Sequence, residues 1–328
     1  MMERYPFALD TDLTRKMAPD EVHAALLPII RSNRYSLSET LDTVCVQGPD
    51  TCYHDIDPYL DEGSAALGID RTQQELATFH RQQSLFDLCL EDSWSGKWMS
   101  EALAYLDRSA PLTILHLDDH TDMMPTMLEH RDGSLFDPIH QRVFDPYAPQ
   151  DWDAVITSGA VGIGSFLTPF FYLDRPVKIL HLKDEIGDLN THTIAPSKLT
   201  HSLLSGRAFL DISHAQPDPT DSAASKSYVS GQSAEDLVAQ IDDQALLLVH
   251  IDLDYFINDF NGNPFDGDYL PGDDLQARAV EKIARLFTAL RGSKITVAKW
   301  IIGTSPGFCS GFHWAFLLRM LEEEIARL

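Results

Sequence analysis

The chain has 328 residues, 44% of them apolar and 23% charged, with 50 acidic residues against 25 Lys and Arg and a formal net charge of -25. That length and apolar share suit one large α/β domain or two ordinary ones. So acidic a surface excludes the basic footprint needed to grip nucleic-acid backbones or anionic membranes.

No apolar run approaches the roughly 20 residues that span a bilayer. The opening Met1-Met-Glu-Arg-Tyr-Pro6 lacks the basic patch and apolar core of a signal peptide. Cys45, Cys52, Cys89 and Cys309 are too scattered for a disulfide framework or a zinc ribbon and read as free or buried thiols. The expected setting is therefore the cytoplasm. The acidity itself reads as solubility, or as a field that draws a cationic substrate inward.

In chain order, residues 1 to 84 read as a helical and loop extension. Ala18-Pro-Asp-Glu-Val22 opens a helix with Pro and two acids in its first turn. Gln47–Thr51 reads as a turn and Thr72–Gln83 as a further helix. From Leu85 the texture changes, and residues 85–328 read as one catalytic unit. The spacing predicts strands at Leu85–Leu90, Leu112–Leu117, Ala154–Ile156, Val177–Leu182, Leu246–Ile251 and Ile295–Ile302. Several are continuous Val/Ile/Leu runs, as in parallel strands covered on both faces. Helices are predicted at Ser95–Leu106, Ala234–Ile241, Asp273–Leu290 and Phe312–Leu328, with Asp273 and Asp274 suited to cap the third. Asp122–Asp153 and Ala208–Ser233 read as long loops, the kind that serve as lids or binding elements. The pattern is α/β with a mainly parallel sheet, whose ligands gather beyond the carboxyl ends of the strands.

Two strand ends carry acids. Asp118, His120 and Asp122 follow one apolar run at alternate positions, so in an extended chain their side chains share a side. Asp252 and Asp254 follow another with the same spacing. Four carboxylates and one imidazole make a borderline-hard donor set that favours Mn(II), with Fe(II) or Co(II) as alternatives, over a structural zinc, and so many acids in one place call for two cations. His116 and His250, two residues before the motif acids, point the same way and read as supports for the ligands or packed core residues; His181 ends its strand near the cleft. The Gly-rich Ser158–Gly164 lacks the spacing of a phosphate-binding loop.

These motifs resemble a known superfamily. Asp118-Asp-His-Thr-Asp122 is similar to the Asp-Ala-His-x-Asp signature of the arginase-type ureohydrolases, and Asp252-Leu-Asp254 to their second signature. A closer resemblance is to a divergent ureohydrolase-like family that includes the peptide arginases, which convert arginine to ornithine in ribosomally made precursor peptides. It is carried by Leu90-Glu-Asp-Ser93, by Ile163-Gly-Ser-Phe-Leu-Thr-Pro169 with Val177-Lys-Ile-Leu-His181, and by Ile251-Asp-Leu-Asp-Tyr-Phe256, over roughly residues 85–310. The resemblance implies a three-layer arginase/deacetylase-like fold. It further implies two Mn(II) ions bridged by Asp118 and Asp252, with His120 and Asp254 on one and Asp122 on the other, and an activated water between them as nucleophile. Asp122 would then shuttle the proton to the leaving nitrogen. The implied substrate is an arginine-containing precursor peptide, and the oligomeric state is left open.

Two departures from the family pattern stand out. Relatives carry Glu-Asp-His where this chain has Glu91-Asp92-Ser93, so Asp92 is the substitute for a missing ligand. Arginases place a glutamate near the last strand, whereas Gly303–Gly307 contains no acid; Glu91 is the first candidate to hold the guanidinium and Asp259 the second. His130 and His140, in the loop after the first motif, are candidate general acids. The same residues also admit a hydrolase of free arginine or another small guanidine. A one-zinc deacetylase-type enzyme would need no acid at Asp122, and the loss of histidine at Ser93 is what a non-catalytic binding module would show.

Overall fold

Helical spacing and period-2 alternation share the N-terminal region. Strand β1 (Tyr5–Ala8), helices α1 (Thr11–Thr14) and α2 (Pro19–Ile30), and strands β2 (Asn33–Leu37) and β3 (Thr43–Pro49) come first, and the three strands form an antiparallel sheet in the order β1-β3-β2. In β3, Val44, Val46 and Gly48 are buried at every second position. The expectation of a helical and loop extension holds for the helices but not for these three strands, where β-branched and aromatic residues at alternate positions fit a half-buried pleat. Gln47 to Pro49, expected as a turn, is the end of β3. Helix α2 begins where expected: Pro19 takes the first position and the Glu21 carboxylate accepts the Ala18 N–H at 2.7 Å. Next come α3 (Leu60–Leu67), α4 (Gln73–Thr78) and β4 (His80–Gln82), so the helix expected over Thr72–Gln83 stops short and yields to a strand.

This computed structural model describes residues 4–31, 33–69, 73–105, 107–184, 187–215, 226–242, 244–264, 271–293 and 295–328. Thr72, Leu106 and the side chain of Asp273 therefore lie outside the described part.

The remaining elements are β5 (Asp87–Cys89), α5 (Ser95–Ala104), β6 (Leu112–Leu117), β7 (Glu129–Arg131), β8 (Ser134–Asp137), β9 (Arg142–Phe144), α6 (Pro149–Thr157), β10 (Val177–Leu182), β11 (Asn190–His201), β12 (Arg207–Ala215), β13 (Lys226–Gly231), α7 (Ala234–Val238), β14 (Leu246–Asp252), α8 (Asp273–Gly292), β15 (Val297–Gly303) and α9 (Gly311–Ile325). Together with β4, these strands form a sheet ordered β4-β5-β15-β14-β6-β10-β13-β11-β12-β7-β8-β9. From β5 to β13 every pairing is parallel, and the flanking pairings are antiparallel. The protein is mixed α/β with a large sheet parallel at its centre.

Successive residues of the central strands feed opposite faces. Leu115, Leu180, Val249 and Ile302 join the core shared with α7, α8 and α9, while Ile114, Ile179, Leu248 and Ile301 join the one shared with α5, α6 and the N-terminal sheet.

Three expectations fail here for identifiable reasons. Ala154–Ile156 lies inside α6, where Trp152, Val155 and Ile156 are buried at helical spacing; three apolar residues carry no usable period. Asp122–Asp153 is not a plain loop but holds β7, β8, β9 and the start of α6. The described parts of Ala208–Ser233 are β12 and β13, and residues 216–225 lie outside them.

The boundary expected between residues 84 and 85 falls inside the β4–β5 pairing. N-terminal residues tie to later ones elsewhere as well. Asn33 donates to the Gly159 carbonyl at 2.7 Å, and the Asp57 carboxylate accepts from Ser310 Oγ at 3.0 Å and from the Gly311 N–H at 2.6 Å. The four cysteines are free, and among the described residues no helix is long and apolar enough to cross a membrane.

Candidate metal centre

Three neighbouring parallel strands repeat one pattern, a histidine followed two residues later by a charge: His116-Leu-Asp118 on β6, His181-Leu-Lys183 on β10 and His250-Ile-Asp252 on β14. Strand pairing places His250, His116 and His181 side by side in register. Two residues on, Asp252, Asp118 and Lys183 form the next layer on the same face, at the carboxyl ends of the strands.

The histidine layer is fully buried, and its bonding has a direction. Carbonyl oxygens only accept, so His181 Nε2 donates to the Asp118 carbonyl at 2.8 Å and its Nδ1 accepts the Tyr228 hydroxyl at 2.6 Å. His116 Nε2 likewise donates to the His120 carbonyl at 3.1 Å, which leaves its Nδ1 to accept from His250 Nδ1 at 2.9 Å. Burial and the neighbouring imidazoles lower the pKa of His116 well below its usual value and that of His250 to about 3, so both are neutral. His116 thus holds the backbone beneath the acids and His250 holds the His116 ring, and neither carries charge itself.

Above them the acids crowd together. Ligand atoms of Asp92, Asp118 and Asp122 lie within 4.8 Å of one another, as do those of Asp118, His120 and Asp254, and those of His116, Asp118 and His250. Asp118 belongs to all three groups. Asp252 belongs to none of them but faces the same cavity. Asp92 Oδ1, Asp118 Oδ2, Asp122 Oδ2, Asp252 Oδ1 and Asp254 Oδ2 are buried without a hydrogen-bond partner. An unpaired carboxylate oxygen in the interior is costly, and five together are what divalent cations would satisfy.

Electrostatics point the same way. Burial, reinforced by Asp254, pushes Asp118 up to about 7; burial and the adjacent acids drive Asp92, Asp122 and Asp252 well above the carboxylate range. For His120 burial acts downward, but the carboxylates of Asp118 and Asp254 beside it prevail and carry it up to about 11. Its Nδ1 lies 3.3 Å from Asp118 Oδ1 and 3.1 Å from Asp254 Oδ2, as a stand-in for positive charge between two acids.

Local backbone holds this arrangement. Asp122 sits in the left-handed region (φ 52), a conformation Asp tolerates better than most residues at a cost on the order of 1 kcal/mol. The Gly164–Thr168 stretch clamps that turn: Leu167 N–H donates to the Asp122 carbonyl at 3.0 Å, Met124 N–H to Gly164 at 2.9 Å, and Thr168 Oγ1 to Met124 at 2.7 Å. Gly303 is needed beside the acids, since a Cβ there would stand 3.2 Å from that of Asp92. Gly307 (φ 77) lets the chain pass Tyr53, whose carbonyl oxygen would lie 2.4 Å from an added Cβ.

The acids open into a cavity of about 550 Å³ lined by Glu91, Asp92, Ser93, His120, Asp122, His181 and Asp252. Glu91 is buried and accepts from the Tyr53 hydroxyl and from His54 Nε2. Asp259, the alternative anchor, does not line the cavity; its carboxylate accepts the Ser310 N–H at 2.9 Å and lies 3.8 Å from His313 Nε2. His130 and His140 do not line it either. His140 bonds Asp137 at 2.5 Å and contacts Tyr5, while His130 packs against Tyr172. The loop expected to swing them over the site is instead a pair of hairpins.

Sequence reasoning missed the part of the wall that comes from the N-terminal region, namely Arg31, Pro49, Asp50 and Tyr53, together with Lys183, Ser305 and Phe308. Only Lys183 carried a sequence signal, the repeated His-x-charge pattern. No protein-family model matches this chain, and no curated protein matches it.

Proposed function

We propose that this chain is an arginase-like ureohydrolase, akin to the peptide arginases, with a three-layer fold of that type and two Mn(II) ions. In this reading it works in the cytoplasm and converts arginine to ornithine within a precursor peptide, with release of urea. The observation that carries it is the ring of buried, unpartnered carboxylate oxygens centred on Asp118. Asp92, Asp118 and Asp122 would hold one ion entirely through oxygen; Asp118, His120 and Asp254 would hold the other, with Asp252 facing the pair. Bound divalent cations supply Lewis acidity and a water whose pKa falls toward neutrality.

The chain's own residues do the rest. Glu91, oriented by Tyr53 and His54, presents a carboxylate to the planar guanidinium fork. Water adds to the guanidinium carbon, the bond from that carbon to the side-chain nitrogen breaks, and urea departs. Asp122 carries the proton to that nitrogen, which leaves as the ornithine amine. A cavity of about 550 Å³ falls in the range that encloses drug-sized ligands, which favours a peptide over free arginine. A one-zinc deacetylase-type reading leaves the Asp92–Asp118–Asp122 group without a purpose.

Incubation of arginine-bearing peptides with the protein and Mn(II) is expected to remove about 42 Da per arginine, the mass of CH2N2, with one urea released each. A chelator should stop the reaction. Unchanged masses across a broad peptide set, with the metal sites loaded, would overturn the reading.

A further inference from the structure

Asp92, Asp118, Asp122, Asp252 and Asp254 are buried, so packing restrains their side chains. His120 is not. Its side chain is 40% exposed, and an imidazole so placed turns away from the acids unless something holds the ring. Two contacts do so. While Nδ1 faces Asp118 and Asp254, Nε2 on the far side of the ring lies 3.3 Å from Asn261 Oδ1. The Phe308 ring meets it edge to face, with centroids 5.0 Å apart.

The bond to Asn261 also has a direction. An amide oxygen only accepts, so the hydrogen sits on Nε2. That leaves Nδ1, the nitrogen between the two carboxylates, to offer its lone pair to a cation.

Asn261 is itself held in place. It sits in the left-handed region (φ 48), which Asn tolerates better than most residues. Its N–H donates to Asn258 Oδ1 at 2.8 Å, and its carbonyl accepts from Asn263 Nδ2 at 2.8 Å. The Asn258 amide reaches across as well, and its Nδ2 donates to Asp119 Oδ2 at 2.9 Å, next to His120 in the chain. The same loop is fastened to the segment that carries Phe308. The N–H groups of Asp259 and Phe260 both donate to the Phe308 carbonyl, at 2.8 and 3.1 Å, and that of Gly262 donates to the Gly307 carbonyl at 3.1 Å. The chain after β14 therefore folds back over the end of β6 and meets His120 from its outer side.

We propose that Asn261 is a positioning residue of the metal centre: by accepting from Nε2 it holds the His120 ring with Nδ1 aimed between Asp118 and Asp254. The proposal rests on the metal-binding part of the reading above, and on nothing about arginine or urea.

Asn261→Gly tests it, with Mn(II) alone as the probe. Glycine adopts φ 48 freely and keeps both backbone bonds of this position, so the substitution removes the acceptor and little else. Calorimetric titration with Mn(II) is expected to show one of two sites weakened about tenfold and the other unchanged. The melting temperature without metal should not fall. Asn261→Asp, which keeps an acceptor oxygen at the same reach, should restore the affinity. In a His120→Ala background Asn261→Gly should have no further effect, because its action passes through that ring.

Unchanged Mn(II) affinity in Asn261→Gly, equal weakening of both sites, or the same weakening in the His120→Ala background would overturn the proposal. A parent protein that binds no Mn(II) would sink it together with the metal centre. Weakening of one site as expected, with no urea from any arginine peptide, would leave it standing and sink the hydrolase alone.

Discussion

Asp118→Asn is expected to lower urea release by about 10³-fold or more and, at the same time, to stabilise the chelator-treated protein. The loss of activity follows from Asp118 being common to all three potential ligand groups, so that no cation is held properly without its charge. The gain in stability follows from the same burial. Burial and the Asp254 carboxylate push the carboxyl of Asp118 up to about 7 in the folded protein, well above the ordinary carboxylate range, so the folded state binds the proton more tightly than the unfolded one. The contribution of Asp118 to stability without metal is therefore fully present below about pH 4, falls as pH rises between about 4 and 7, and is lost above that.

Asparagine cannot ionise and still offers an oxygen to the His120 N–H, which Asp118 Oδ1 accepts at 2.6 Å. Removing a buried charge whose Oδ2 has no hydrogen-bond partner is worth about 1–3 kcal/mol. Thermal melts of chelated protein across pH 4–8 should show the variant above the parent at pH 8 and a flatter profile. Mn(II) should raise the parent's melting temperature and leave the variant's nearly unchanged. A variant that melts below the parent at pH 8 without metal would contradict the picture of acids held apart only by cations.

Glu91→Gln should cut kcat/KM by about 10²–10³-fold, the cost of leaving a buried guanidinium without its charge partner, about 3–4 kcal/mol. Metal content should be unchanged, because Glu91 belongs to no ligand group and is engaged by Tyr53 and His54. Tyr53→Phe removes one of the two bonds that orient it and should cost about tenfold. Asp259→Asn is the control: its carboxylate accepts the N–H of Ser310, the residue before α9, and it lies outside the cavity, so stability should suffer and KM should not. A raised KM in Asp259→Asn with none in Glu91→Gln would move the anchor away from Glu91.

The parts of this protein that could be read from its residues are those where burial writes a continuous signal. Leu112–Leu117, Val177–Leu182 and Leu246–Ile251 are apolar because both faces of a parallel strand are covered, and acids at the ends of the first and third mark the mouth of the sheet. Asp118, Asp122, Asp252 and Asp254 follow from that logic, and Asp92 only from the family resemblance at Glu91-Asp92-Ser93. The half-exposed strands were not legible. β11 alternates polar residues with very little buried surface and carries no apolar run at all.

Nor were contacts made by folding back legible. Arg31 and Tyr53 reach the cavity from the N-terminal chain, and no spacing in the sequence links Tyr53 or His54 to Glu91. His130 and His140 were singled out as loop histidines, but the segment pairs into hairpins, and His140 is taken by Asp137.

The most direct test of the whole account is anomalous diffraction at the manganese edge from crystals grown with Mn(II). Two peaks are expected, both within roughly 2.0–2.3 Å of oxygens and both served by Asp118. One should lie toward Asp92 and Asp122, the other toward His120 and Asp254. A single peak, or peaks that Asp118 does not touch, would contradict it.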